Sequence, residues 1–288
     1  MIYLVLIAIL FGIIEGITEW LPVSSTGHMI ILEDIFNVEN LFNKSGYPEY
    51  GKDFWSMFLV VIQLGAIFAV IIYFWNKLWP FTNKKTKEEK KEVYSTWRKT
   101  LIACIPAAII GLLFDDLLDK YLYNTLTVSI TLLVYGVLFI LMEIWNQKRH
   151  FKTTDIKQMS YKTALIIGLM QLLALIPGTS RSGVTILGAM LLGCNRESSA
   201  EFSFFLSIPV MLGASLLKGA KFIMKYGFPG TNETVFLLLG CLVAFLISLI
   251  AVKWLMKFVK KHDFKIFGIY RILLGSGLLT YFLVMMFI

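Results

Sequence analysis

Two acidic residues lie inside the first apolar run of the chain, in the stretch IEGITEW. Glu15 and Glu19 are four residues apart, so on a helix they share one face. A carboxylate at membrane depth is costly unless it is paired, protonated or bound to a metal ion. The pair is therefore expected to share a proton or to hold a hard cation, Mg²⁺ or Ca²⁺. An interfacial position facing water is the alternative, and it suits Glu19 beside Trp20 better than Glu15.

A cluster of hydroxyl groups follows the acidic pair, in LPVSSTGHM. Ser25 offers a nucleophile, and His28 offers a base three residues further on. Ser24 and Thr26 are candidates for binding a substrate, and one of the two is also expected to cap the helix that begins after Pro22. A lone histidine is usually structural, but this one accompanies two carboxylates and several hydroxyl groups.

A second polar cluster interrupts a later apolar run, in PGTSRSGVT. Arg181 needs an anionic partner at membrane depth, and its guanidinium presents a planar fork of donors that suits phosphate. We expect a helix to begin near Val184 and to point free N–H groups into the loop. The simpler alternative is a cytoplasmic turn with a solvated arginine. The neighbours that complete the composition of a phosphate cradle are Gly178, Thr179, Ser180, Ser182, Gly183 and Thr185.

Further polar residues lie within apolar runs away from these clusters. Arg271, in GIYRILLG, is a candidate for binding the substrate, and snorkelling to the membrane interface is its alternative role. Gln63 and Gln171 are suited to tie helices together or to orient the site, and Gln63 is counted among the substrate-binding candidates. Acidic groups, a cation, a nucleophile and an arginine cradle together indicate phosphoryl chemistry on a substrate that is reachable from the bilayer.

The elements that must position these groups are membrane-spanning helices. The chain has 288 residues, of which 57% are hydrophobic and 16% are charged, too apolar for a water-soluble core of ordinary size. Runs of about 20 apolar residues predict transmembrane helices. A barrel is excluded because its strands would alternate polar and apolar residues. The predicted spans are 54–75, 100–118, 125–145, 202–224, 234–258 and 266–288.

The charged residues predict the orientation of these spans. The net charge of +8 does not indicate a nucleic-acid partner, because Lys and Arg lie mostly in the loops. Basic loops at 76–99, 146–162 and 257–265 are predicted to be cytoplasmic. The acid-rich loop around 115–124, the loop at 33–53 and both chain termini are then expected outside.

The two polar clusters occupy corresponding places in an internal repeat. When Ser24 is laid on Ser180, SSTG meets SRSG and Glu15 meets Gln171. Each interrupted segment predicts a re-entrant hairpin, and three spans follow each hairpin, so the second half is inverted. The predicted fold class is an all-α polytopic membrane protein with six transmembrane helices and two re-entrant helical hairpins. The predicted boundaries are 1–288 for one integral membrane domain, 1–145 for the first repeat and 160–288 for the second.

The motifs EGITEWLPVSSTGH and PGTSRSGVT closely resemble the two signatures of the undecaprenyl-diphosphate phosphatase family, also called the bacitracin-resistance protein family. ESSAEFSFFLSIPVMLGAS and YRILLG resemble further family segments, so the resemblance covers nearly the whole chain. It implies a bacterial inner-membrane enzyme that removes the terminal phosphate of undecaprenyl diphosphate. Such an enzyme recycles the lipid carrier for cell-wall polymers and removes the target of bacitracin.

The resemblance also implies a site and a cofactor. The family depends on divalent cations, which agrees with Mg²⁺ or Ca²⁺ on Glu15 and Glu19. In our hypothesis the cation bridges the diphosphate, Arg181 holds the developing charge, and Ser25 attacks with the assistance of His28. His28 as the nucleophile is the alternative assignment. The residues that match the family signatures are Glu15, Glu19, Ser25, His28, Ser180, Arg181, Thr185 and Arg271.

Two other classes of function compete with an enzyme. A transporter or lipid flippase suits inverted repeats equally well, but it does not require the hydroxyl, histidine, diacid and arginine set. A non-enzymatic lipid-binding subunit would need no nucleophile. The expected partners are a polyprenyl diphosphate lipid and membrane lipids, with a homodimer left open and no nucleic acid.

Overall fold

The computed structural model describes residues 2–82, 85–122, 124–147 and 149–287, and the regular elements in this part of the chain are helices. Six of them are long and apolar enough to cross a membrane, which confirms the predicted all-α polytopic class. These helices are α4 (Tyr50–Tyr73), α6 (Lys87–Leu122), α7 (Thr125–Asn146), α10 (Arg196–Tyr226), α11 (Thr231–Phe258) and α12 (Lys265–Phe287).

Shorter helices form the interrupted segments and the connections. In chain order they are α1 (Ile2–Thr18), α2 (Ser25–Phe36), α3 (Val38–Leu41), α5 (Trp75–Leu78), α8 (Tyr161–Met170) and α9 (Arg181–Leu191). A short 3₁₀ turn at Ile156–Gln158 precedes α8, and another at Gln171–Leu175 extends it. The pairs α1–α2 and α8–α9 are the two predicted helical hairpins, each broken at its polar cluster.

The predicted spans were right in number and position, but two helices begin earlier than predicted. The helix α6 begins at Lys87, because the charged stretch KEEKKEVYSTWRK is rich in strong helix formers and continues the apolar span. The helix α10 begins at Arg196, where the side chain of Asn195 accepts a hydrogen bond from the backbone of Ser198. The predicted acid-rich loop around 115–124 is helical backbone as far as Leu122, and its side chains at 115–120 lie outside the described residues.

Glycines let the first hairpin pack closely against α11. A Cβ atom on Gly16 would lie 2.8 Å from the backbone oxygen of Ala244, and one on Gly12 would lie 2.7 Å from Cβ of Val243. Small residues at such positions allow the backbones of membrane helices to approach each other. The hydroxyl of Ser248 on α11 donates to the backbone oxygen of Gly16 at 3.2 Å. This contact holds α1 inside the bundle and so buries Glu15, its neighbour in sequence.

A buried ion pair joins three of the long helices. The carboxylate of Glu143 on α7 is fully buried and accepts from Nε of Arg196 at 2.9 Å. The same carboxylate accepts from the backbone N–H of Phe264 at 2.9 Å, just before α12 begins. Glu143 therefore connects α7 with α10 and with the start of α12.

Candidate active site

The two interrupted loops share one local geometry. Ser24 and Ser180 both have a positive φ, of 74° and 68°, which is uncommon for a residue other than glycine. Each serine side chain accepts from the backbone N–H three residues further on, Gly27 and Gly183, at 3.2 Å in both cases. Ser24 is therefore the helix cap expected in the first cluster. The helix α9 begins at Arg181, so its predicted start near Val184 was wrong, because Ser180 supplies the cap.

Glu19 is the centre of the site. Its Oε2 accepts a hydrogen bond from Oγ of Ser25 at 2.7 Å, and its Oε1 pairs with Nη2 of Arg181 at 3.0 Å. The hydroxyl of Ser182 donates to the backbone oxygen of Glu19 at 3.1 Å. The side chain of Glu19 is only 5% exposed and that of Arg181 only 11%. The carboxylate of Glu19 thus joins the first and second polar clusters, and it accepts a hydrogen bond from the hydroxyl of Ser25.

Glu15 adds a second carboxyl group to this centre. It is 1% exposed, and its carboxyl group neighbours that of Glu19. Its Oε1 is buried without a hydrogen-bond partner. Two adjacent carboxyl groups beside the single guanidinium of Arg181 call for a proton or a cation between them.

The oxygen atoms of Glu15 and Glu19 are the kind of ligand that a hard cation prefers. Among the described residues no group of three His, Cys, Asp or Glu side chains could hold a metal ion. Glu15 and Glu19 alone would therefore supply protein ligands. Oxygen atoms of substrate or water would complete the coordination, as is usual for Mg²⁺.

Arg181 is held from its other side by α10. Its Nη1 donates to the backbone oxygen of Ser203 at 2.6 Å, and Oγ1 of Thr185 donates to Oγ of Ser203 at 2.7 Å. Its Nε–H is buried without a partner, so the guanidinium keeps one donor available for an anion. The sequence reasoning missed Ser203, and its signal was a small polar residue within the apolar stretch EFSFFLS.

His28 does not contact the Ser25 hydroxyl. Its Nδ1 lies 2.8 Å from the backbone oxygen of Ser24, and its Nε2 lies 2.6 Å from the hydroxyl oxygen of Tyr270 on α12. The hydroxyl of Ser25 is thus paired with Glu19, and assistance of Ser25 by His28 stays a prediction. Ser25, at the first position of α2, turns back toward α1, whereas His28 turns toward α12.

Arg271 is a fully buried arginine whose hydrogen bonds go to backbone carbonyls. Its Nη1 donates to the oxygen of Pro22 at 3.2 Å. Its Nη2 donates to the oxygens of Gly178 and Thr179 at 2.7 and 3.0 Å. Snorkelling to the interface was thus the wrong alternative, since the side chain is 0% exposed. Arg271 connects the two loops, while its direct contact with a substrate stays a prediction.

We expect Arg271→Lys to lower the thermal unfolding temperature of the purified protein by several degrees. One ammonium cannot replace a fork of donors that reaches both loops, and each buried carbonyl left without a donor costs about 1–3 kcal/mol. The control is Arg98→Lys, because Arg98 is exposed and donates to the backbone oxygen of Tyr94 within the same helix, α6. Equal unfolding temperatures in detergent for the two variants would contradict the role of Arg271 in joining the loops.

The other predicted residues of the second loop mainly stabilise its shape. The hydroxyl of Thr179 donates to the backbone oxygens of Leu173 and Ile176, at 3.0 and 2.8 Å. Gly178 has a φ of +87°, and a Cβ atom there would lie 2.1 Å from Oγ1 of Thr131, so a larger residue does not fit. A Cβ atom on Gly183 would lie 3.3 Å from Nη1 of Arg271.

Two predicted residues are not joined to this network. Thr26 is half-buried in the first turn of α2, and Gln63 is half-buried on α4. Among the hydrogen bonds of the described residues, none links the side chain of either residue to the two loops. Their binding of substrate stays a prediction.

Comparison with known proteins assigns the family. The family model described as bacitracin resistance protein BacA matches residues 8–277. A curated undecaprenyl-diphosphatase of Enterococcus faecalis is 54% identical over 276 residues, covering 96% of each chain. One from Acetivibrio thermocellus is 53% identical over 96% of this chain and 97% of its own. Undecaprenyl-diphosphatase 1 of Clostridium acetobutylicum is 49% identical over 97% of this chain and 98% of its own. With its two polar loops joined at Glu19 and its match over nearly the full length, the chain belongs to the bacitracin resistance protein BacA family.

Proposed function

We propose that this protein is an undecaprenyl-diphosphatase, which hydrolyses undecaprenyl diphosphate to undecaprenyl phosphate and inorganic phosphate. The observation that carries the proposal is the buried contact of Ser25, Glu19 and Arg181. It brings together a hydroxyl group, a carboxylate that can accept its proton, and a positively charged guanidinium. The names of the full-length relatives support the same activity. The reaction returns the lipid carrier to cell-wall synthesis and confers resistance to bacitracin.

The hydrogen bond between Ser25 and Glu19 defines the first chemical step. Oγ of Ser25 attacks the terminal phosphorus while Glu19 accepts its proton. The bond between that phosphorus and the bridging oxygen breaks, and its electron pair stays on undecaprenyl phosphate. Water then attacks the phosphorus of phosphoserine and the bond between phosphorus and Oγ breaks. Glu19 returns its proton to Oγ of Ser25, and inorganic phosphate leaves with the protons of the water.

Arg181 is placed to stabilise the charge that builds on the transferred phosphoryl group. Its unpartnered Nε–H and the N–H groups at the starts of α2 and α9 are donors of the kind that favour an anion. Because the guanidinium is held by Glu19 and Ser203, it needs little reorganisation during the reaction. Such preorganised donors act strongly in a site that excludes water.

A divalent cation, Mg²⁺ or Ca²⁺, is proposed as the cofactor. Glu15 and Glu19 would hold it, supported by the unpartnered carboxylate oxygen of Glu15. When bound, it would neutralise the negative charge of the diphosphate. In this scheme the proton of Ser25 is accepted by Glu19, and the cation takes no part in proton transfer.

We expect Glu15→Gln to lower turnover strongly and to raise the concentration of Mg²⁺ or Ca²⁺ that gives half-maximal activity. The amide keeps the shape of the side chain but removes a charged ligand. The control is Glu197→Gln, because Glu197 forms a partly exposed ion pair with Lys260 and does not contact the carboxyl pair. An unchanged half-maximal concentration of metal ion in Glu15→Gln would assign the carboxyl pair to proton sharing.

Phosphate release by the purified protein tests the function itself. Undecaprenyl diphosphate and the shorter farnesyl diphosphate serve as substrates in detergent, with Glu19→Gln as the inactive control. We expect the wild-type protein to release phosphate from both. Transbilayer movement of a labelled lipid diphosphate without phosphate release would reject the enzyme and favour the transporter class.

The location and orientation of the protein in the membrane form the last part of the proposal. The protein is a multi-pass membrane protein. We place it in the bacterial inner membrane with both termini outside, supported by the basic loops at 76–99, 146–162 and 257–265. A homodimer stays a prediction.

A further inference from the structure

Two consecutive residues of α12 hold the first loop. Arg271 donates to the backbone oxygen of Pro22, and the hydroxyl of Tyr270 lies 2.6 Å from Nε2 of His28. The rings of Tyr270 and His28 are nearly parallel, with 6° between their planes and 5.7 Å between their centroids. The backbone and the imidazole of the first loop are therefore both held by a helix that begins more than 200 residues later in the sequence.

The hydrogen bonds of His28 define which ring nitrogen carries the proton. A backbone carbonyl can only accept, so the contact with Ser24 requires a proton on Nδ1. Nε2 of the neutral ring then bears a lone pair, and the hydroxyl of Tyr270 is its donor.

We propose that Tyr270 is a positioning residue, which fixes the orientation of His28 and keeps Nε2 as its lone-pair nitrogen. The inference rests on the proposed phosphatase function only where turnover is concerned. Whether His28 binds phosphate, moves a proton or attacks phosphorus, a defined Nε2 lone pair at a fixed place serves that role.

The variant Tyr270→Phe tests this role, because it keeps the aromatic ring and removes the hydroxyl. We expect kcat to fall about 3- to 10-fold, as for the loss of a hydrogen bond worth about 1 kcal/mol, with KM changed less than about 2-fold. Tyr281→Phe on the same helix is the matched control. Tyr281 is 50% exposed and lies ten residues after Arg271, the last residue of α12 that contacts the first loop.

A spectroscopic measurement separates positioning from general damage. ¹⁵N-labelled histidine reports the protonation of each ring nitrogen when His150 and His262 are replaced by Gln, which leaves His28 as the labelled residue. We expect the Nε2 signal of His28 to change in Tyr270→Phe and to stay unchanged in Tyr281→Phe. This signal needs no turnover, so it stands even if the protein does not hydrolyse the lipid.

Two outcomes would overturn the proposal. An Nε2 signal in Tyr270→Phe identical to that of the wild type would show that the hydroxyl does not hold His28. A changed signal with wild-type kcat, in a protein that releases phosphate, would show that the orientation of His28 does not matter for turnover.

Discussion

Replacing Ser25 with alanine is expected to lower kcat by at least about 10⁴-fold, the scale of loss seen when a hydrolase loses its nucleophile. The hydroxyl of Ser25 donates to Oε2 of Glu19 at 2.7 Å, so its proton has a buried acceptor before the substrate binds. Alanine removes the oxygen that would carry the phosphoryl group. No change in KM of similar size is expected, because the loops and Arg181 remain.

The control for this variant is Ser129→Ala. Ser129 on α7 is fully buried and donates to the backbone oxygen of Thr125 at 2.7 Å, so alanine there also removes one buried hydroxyl. Its hydrogen bond stays within a single helix, and we expect near wild-type phosphate release. Thermal unfolding of both variants shows whether either loss comes from the fold. A Ser25→Ala protein with more than about a tenth of wild-type kcat would exclude Ser25 as the nucleophile.

Rapid quenching with terminally labelled lipid diphosphate identifies the covalent intermediate. The proposed scheme predicts acid-stable label on Ser25. Acid-labile label on His28 would support the alternative nucleophile, whose Nε2 would first have to leave Tyr270. Inversion at a chiral phosphorus would show direct attack by water, and Ser25 would then only position that water.

The membrane helices were predictable because their signal is local. A run of apolar residues long enough to cross the bilayer has few other stable structures, and this identified all six spans. The breaks at the two polar clusters were equally local, since Pro22 and Pro177 end apolar runs and serines follow them. The cap by Ser24 follows from the same chemistry.

The contacts of the site depend on how distant helices meet, and spacing along the chain does not encode them. Ser25 and His28 were close in sequence, yet Ser25 bonds to Glu19 on α1 and His28 to Tyr270 on α12. The role of Arg271 was ambiguous for the same reason. An arginine near a helix end is compatible with a position at the membrane interface. The three carbonyl groups that bind Arg271 belong to two loops distant in sequence, so only the structure identifies them.

Residues with ordinary side chains were the hardest to find. Ser203 contributes a backbone oxygen to Arg181, and any residue type could supply that atom. Its hydroxyl contacts with Thr185 and Arg181 depend on its being a serine. Glu143 and Arg196 carried opposite charges within or beside apolar spans, which signals a partner, but the sequence does not say which.

Arg181→Lys is expected to lower kcat by about 10²-fold and Arg181→Ala by about 10³-fold, the range for losing a preorganised donor to developing charge, about 2.7–4 kcal/mol. The guanidinium reaches Oε1 of Glu19 with one nitrogen and the backbone of Ser203 with another. Its third nitrogen remains free for the phosphoryl group. One ammonium cannot occupy these three directions together.

Alanine at this position also leaves Glu19 buried without its cation, which can cost about 3–5 kcal/mol of stability. The lysine variant keeps the charge, so its loss of kcat reports donor geometry more directly. Arg98→Lys is again the control for the exchange itself. Unfolding temperatures are measured beside phosphate release for all three variants.

Chemical rescue decides whether the guanidinium acts in the reaction. Added guanidinium ion should restore part of the kcat of Arg181→Ala, because the cavity keeps Glu19 and Ser203 to bind it, and it should not rescue Ser25→Ala. Equal kcat for Arg181→Lys and the wild type would show that positive charge suffices and that the fork of donors is not used. Full loss of kcat in Arg181→Ala with a normal unfolding temperature and no rescue would instead place the role of Arg181 in positioning Glu19, so that Ser25 loses its proton acceptor together with the arginine.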